Sequence, residues 1–151
     1  MTAARAVADV TRGVVLATIE LAVGAERVFQ ALTTEEVVRW WGSDETYRTT
    51  GWEADVRVGG RWRAEGVNAD GRPFAVGGEY LSVEAPRMLV MTWRPAWEPD
   101  LSTTLTYRID AIPSGVRLTV RHEGFGAHRE ACESHTRGWE LVLGWLGRYV
   151  R

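Results

Sequence analysis

From residue 14 to residue 124 apolar and polar positions alternate in short runs, the period expected where one face of a sheet is buried and the other is wet. The runs span residues 14–21, 49–56, 61–67, 74–84, 88–94, 102–112 and 116–124, seven predicted strands. They are separated by turn formers such as Gly59-Gly60, Asn68-Ala69-Asp70-Gly71 and Pro113-Ser114-Gly115. Two interruptions have helical spacing: residues 25–32 with Val28, Phe29 and Leu32, and a second short helix after Thr34 that carries Trp40 and Trp41. Residues 1–13 have no clear period and are expected to be frayed, so the predicted domain covers 14–151. Gly77-Gly78 predicts a bulge in strand 74–84, which leaves the facing of Glu79 and Tyr80 undetermined.

Beyond residue 128 the period lengthens. His128, Cys132, His135, Trp139, Val142, Leu143, Leu146 and Val150 share one side of a single long helix through Arg151. A stripe that wide must lie on a sheet. Leu141 and Trp145 fall on the opposite side, and such a pair either lies beneath a loop or forms a homodimer contact. Strand parity turns Ala54, Val56, Trp62, Leu89, Met91 and Trp93 inward, together with Leu105, Tyr107, Ile109, Leu118, Val120 and His122. One helix cannot cover so wide a surface, and this layout commonly encloses a pocket.

Composition removes several functions. The net charge of −2 speaks against nucleic acid as the partner, and no run is long enough for a membrane span. The first residues lack a secretion signal and there is one cysteine, so the expected location is cytoplasmic, without disulfides. All 18 basic residues are Arg, which excludes a lysine Schiff base, a lysine general base and a P-loop lysine. Eight Trp read either as large apolar walls with a few N–H donors or simply as a Trp-rich core.

Several segments in order carry a resemblance: 28–33 with Trp40-Trp41-Gly42, 55–60, 86–93, His122-Glu123-Gly124-Phe125 and Gly138-Trp139. Together they resemble the START-like (SRPBCC) superfamily, within it the activator of heat-shock protein 90 ATPase homologue-like family. The resemblance implies an α+β helix-grip fold, a curved seven-stranded antiparallel sheet wrapped around the C-terminal helix over a hydrophobic cavity. Activity is not implied, since the superfamily spans lipid carriers, hormone-binding proteins and polyketide aromatases and cyclases.

The candidate chemistry is sparse. His128, Cys132 and His135 stand at i, i+4 and i+7, a spacing from which ligands can meet zinc, but no fourth ligand is evident and the reading is no metal and no cofactor. Cys132 and His135 as nucleophile and base lack a third, orienting residue. His122 has inward parity and, beside a buried Glu79, would make the best catalytic pair available; the alternative is a buried histidine bonded to a hydroxyl. The arginines at 57, 61, 63, 117 and 121 face outward as a solvated surface or, in the minority reading, a docking surface. The expected function is binding of an apolar aromatic or lipid-like molecule by Trp40, Trp41, Trp62, Trp93, Tyr107, His122, His135 and Trp139. The alternatives are a cyclase, aromatase or hydrolase in the same cavity, or a co-chaperone-like domain acting on heat-shock protein 90.

Overall fold

The computed structural model describes residues 3–151. Its elements run β1 (Arg5–Asp9), β2 (Val14–Leu21), α1 (Ala25–Thr33), α2 (Val37–Trp40), β3 (Tyr47–Ala54), β4 (Arg61–Asn68), β5 (Pro73–Glu84), β6 (Met88–Pro95), β7 (Thr103–Ile112), β8 (Gly115–Glu123) and α3 (Arg129–Val150). The strands form one antiparallel sheet in the order β1-β2-β8-β7-β6-β5-β4-β3. From β3 to β8 it is a plain meander, and the N-terminal hairpin closes onto β8.

The sheet has eight strands among the described residues, not seven. The extra one lies in the segment expected to be frayed; Met1 and Thr2 of that segment are outside the described residues. β1 pairs with β2 from Arg5↔Thr18 to Asp9↔Val14. The turn between them is tied by Asp9, whose Oδ1 accepts the N–H groups of Thr11 and Arg12, both at 3.1 Å, and by Gly13 at φ 69. An edge strand with mostly exposed side chains has no reason to alternate, which is why periodicity misses it.

Strand five corrects a second expectation. The register slips between Tyr80 and Ser82, not at the glycine pair. Gly78 serves a different purpose: a Cβ there would lie 2.0 Å from the Thr92 carbonyl oxygen, so the glycine lets β5 and β6 approach. The consequence is that Tyr80 turns inward, 1 % exposed, while Glu79 and Leu81 face out.

Inward parity elsewhere produces the core. Leu89, Met91, Trp93, Leu105, Tyr107, Ile109, Leu118 and Val120 are all buried, as are Trp139, Val142, Leu143, Leu146 and Val150 on α3. The helix packs against β2 and β1, with Cys132 near Val14 at one end and Gly147 near Ile19 at the other, and reaches Tyr107 with Trp139, ring centroids 5.9 Å apart. Of the five arginines expected to face outward, Arg57, Arg63, Arg117 and Arg121 each pair with a neighbouring carboxylate, and Arg61 is exposed at the start of β4. No helix among the described residues is long and apolar enough to cross a membrane.

A second set of contacts joins the three helices. Glu36, just before α2, receives the Arg27 guanidinium of α1 at 2.9 Å and the Tyr149 hydroxyl of α3 at 2.6 Å. The Tyr149 hydrogen bond, with Arg27 behind it, holds the Glu36 carboxyl below the usual carboxylate range against the opposing effect of burial. This clasp fixes α2, and with it the chain that enters Trp41.

Candidate ligand cleft

The half of the sheet nearest β3 is not covered by α3, and a cleft of about 1000 Å³ lies between it, α2 and the helix. The walls come from both sides. β3 to β7 contribute Trp52, Trp62, Met91, Trp93 and Tyr107, and α3 contributes Ser134, His135, Gly138, Trp139 and Val142.

Aromatic packing sets the shape. Trp41 stacks on Trp93 with centroids 6.3 Å apart and meets Trp139 edge-on at 5.7 Å; Trp62 joins Trp93 at 5.6 Å and Trp52 at 5.6 Å. Indole N–H groups are taken up by the frame: Trp41 donates to the Tyr47 hydroxyl at 3.0 Å, Trp62 to the Thr92 carbonyl at 3.0 Å and Trp52 to the Thr33 carbonyl at 3.3 Å. These bonds hold the rings in place and turn their apolar faces to the cleft. The Trp93 N–H is the exception, buried without an acceptor.

Six of the eight residues expected from the sequence line the cleft: Trp41, Trp62, Trp93, Tyr107, His135 and Trp139. Trp40 and His122 do not. Trp40 is turned the other way, 4 % exposed, its N–H donating to the Ala31 carbonyl of α1 at 2.9 Å. Adjacent residues at a helix end cannot both face one side, so Trp41 takes the cleft and Trp40 the α1 contact.

His122 lies behind the wall, wholly buried. The Trp139 N–H donates to its Nδ1 at 3.0 Å, and its Nε2 lies 2.7 Å from the Thr103 hydroxyl, which donates to the Trp93 carbonyl at 3.2 Å. An indole N–H can only donate, so Nδ1 is the acceptor and Nε2 carries the proton. Burial holds this imidazole well below its ordinary pKa, with the neighbouring His135 a smaller influence in the same direction. Both nitrogens are satisfied, the histidine is neutral, and Glu79 stands exposed on the other face. The two do not meet.

His135 is different. Its Nδ1 bonds the Ala131 carbonyl at 2.8 Å, so Nδ1 carries the proton and Nε2 is the acceptor. Burial lowers its pKa, partly opposed by that carbonyl and by Glu98. Tyr107 and Tyr80 are pushed up by burial and stay protonated.

The zinc spacing leads elsewhere. His128 Nδ1 meets Glu98 at 3.2 Å, Cys132 Sγ lies against the Val14 carbonyl and the His135 ring rests on Phe125, 5.1 Å between centroids. Among the described residues no group of three or more His, Cys, Asp or Glu side chains is arranged to hold a metal ion. Of the outer pair, Trp145 packs edge-on against Tyr47 at 5.7 Å, whereas Leu141 remains half exposed.

Sequence reasoning missed the aromatic residues Tyr47, Trp52, Phe74 and Trp97 in the lining. Phe74 faces Gly66 across β4 and β5, and its ring fills the space where a Gly66 Cβ would stand. Trp97, in the loop after β6, meets Phe74 edge-on at 6.0 Å. A glycine opposite an aromatic was the available signal for Phe74; a loop residue such as Trp97 has none.

The sequence matches the family described as Activator of Hsp90 ATPase homolog 1-like protein over residues 22–151. No curated protein matches it. Among solved structures, a protein from Rhodobacter sphaeroides is similar with TM-score 0.83 at 15 % identity, over 97 % of this chain and 97 % of that one. A protein from Chromobacterium violaceum is 25 % identical over 91 % of this chain and 97 % of its own, TM-score 0.77. The AHSA1 protein from Silicibacter pomeroyi is 25 % identical over 89 % and 95 %, TM-score 0.74.

Proposed function

The chain belongs to the family of Activator of Hsp90 ATPase homolog 1-like proteins, and from that premise we propose that it binds a small or medium apolar molecule, aromatic or lipid-like, between the sheet and α3. The observation that carries this reading is the cleft itself, about 1000 Å³ and walled by indole and phenol rings. Small-molecule sites run to about 300–1000 Å³, so the volume suits a multi-ring or lipid-sized guest. Such a guest gains roughly 25 cal/mol for each Å² of apolar surface it removes from water. His135 Nε2, an acceptor beside the indole rings, is placed to orient a guest that carries one hydroxyl or amine donor, and Thr49, Asn68, Arg72 and Ser134 add polar groups to the lining.

The cyclase, aromatase or hydrolase alternative called on His122, with Glu79 and a Tyr hydroxyl as helpers, and finds less support: His122 is wholly buried with both ring nitrogens bonded, and Glu79 is exposed on the opposite face. A general base must reach the proton it abstracts.

The test is a titration with N-phenyl-1-naphthylamine, a neutral aromatic dye. One-to-one binding with quenching of Trp emission, weakened at least about tenfold by Trp41→Ala in line with the loss of a buried aromatic contact, supports the reading. A dye that does not bind, alongside native mass spectra of host-purified protein that carry no retained small molecule, overturns it.

A further inference from the structure

α3 carries Gly138 in its interior, one residue before Trp139 and on the side that lines the cleft. Glycine weakens a helix relative to alanine, because it gives up more backbone freedom on folding. An interior helical glycine therefore calls for a reason, and the usual one is a neighbour that leaves no room for a side chain. Here there is no such neighbour: a Cβ built on Gly138 would meet nothing within 4 Å. The backbone is also ordinary helix, with no positive φ that would demand glycine. What lies beside Gly138 is the open space of the cleft.

We propose that Gly138 is kept bare so that the bound molecule lies directly against the α3 backbone, which makes this position the one that limits how thick a guest the cleft accepts. The inference rests on the binding reading above and adds to it where the guest sits. Ser134 and Val142, one turn to either side, also line the cleft, so the missing side chain makes a shallow saddle between them. Trp139 flanks it, with Trp41 beyond, edge to ring at 5.7 Å. A flat ring fits such a saddle: its face meets the exposed peptide groups of the helix while its edges meet indoles. A side chain at 138 would occupy that same volume.

The experiment uses three variants and one dye. Gly138→Ala and Gly138→Leu put a methyl and an isobutyl group into the saddle, and Gly144→Ala makes the same helix correction outside the cleft, where the added Cβ meets only the flexible end of Arg148 at 3.6 Å. Thermal unfolding is expected to rise by about 2–4 °C in both alanine variants, since each removes a helix-weakening glycine from open space. The dissociation constant of N-phenyl-1-naphthylamine is expected to rise about threefold in Gly138→Ala and at least tenfold in Gly138→Leu, and to stay at the wild-type value in Gly144→Ala. Equal affinities in all four proteins would overturn the proposal, as would an equal loss in both alanine variants, which would trace the effect to helix stiffness. A lowered melting temperature in Gly138→Ala would show that the space is not open and would overturn it too. Wild-type protein that fails to bind the dye and, purified from its host, carries no retained small molecule removes the binding reading, and this inference with it.

Discussion

The indole N–H of Trp139 donates to Nδ1 of His122 across 3.0 Å, and that single bond decides the protonation of a buried imidazole. A second proton on Nδ1 would set two donors against each other in a fully buried site, so His122 stays neutral while it stays buried.

The first expectation is a pH dependence of stability. Unfolded, both imidazoles take up a proton near pH 6.5; folded, His122 and His135 are held below that value by burial. The unfolded state thus binds more protons below that pH, and stability rises with pH. It is complete above about pH 7 and is lost as the pH falls below about 6.5, by up to about 1.4 kcal/mol per pH unit for each histidine. Urea unfolding at pH 5, 6, 7 and 8 measures this slope, and nitrogen NMR shifts of His122 should report the Nε2–H tautomer throughout. A flat profile from pH 7 to 5 would contradict it.

Thr103→Val should cost about 1–3 kcal/mol although it preserves shape. The hydroxyl accepts from His122 and donates to the Trp93 carbonyl, so valine leaves the buried His122 N–H without a partner and takes one donor from that carbonyl. Chemical denaturation reads the loss; a change under about 0.5 kcal/mol, the usual range for surface substitutions, would mean the relay contributes nothing.

Tyr149→Phe should destabilise by about 1 kcal/mol, the worth of one hydrogen bond to a carboxylate that is only partly shielded from solvent. Because the same carboxylate also holds Arg27, Glu36→Ala, which removes both acceptor oxygens, should cost at least as much and should make Tyr149→Phe nearly silent when combined with it. A double-mutant cycle checks the coupling.

Cys132 should resist thiol reagents in the native state. It is wholly buried, and burial pushes its thiol up, away from the reactive thiolate. Labelling with a disulfide reagent is expected to proceed only as the helix opens and to become immediate in denaturant.

Much of this molecule was legible in the chain, and the places where it was not share a cause. Alternation in β6, β7 and β8 put Leu89, Tyr107 and Val120 inside, because there one face is buried along its whole length. Parity also turned His122 inward correctly, but parity is a property of one strand. Whether a buried imidazole is sealed or accessible depends on Thr103 and Trp139, brought to it from another strand and a helix. Trp40 and Trp41 are alike in sequence and differ only in which element each faces. The edge strand β1 and the loop residue Trp97 carry no period because neither is enclosed on one side by a continuous core.

The linked indoles of the cleft, with Trp40 behind them, have an optical consequence. Trp52, Trp62, Trp93, Trp41 and Trp40 form a chain of neighbours with centroids 5.1–6.3 Å apart, and Trp139 joins it through Trp41 and Trp93. At such spacings excitation absorbed by one ring migrates to the others before it is emitted. The wall behaves as a single antenna: a guest that quenches any one of these rings dims them all, so the amplitude of quenching counts occupancy, and the position of the guest has to be read from affinities of variants.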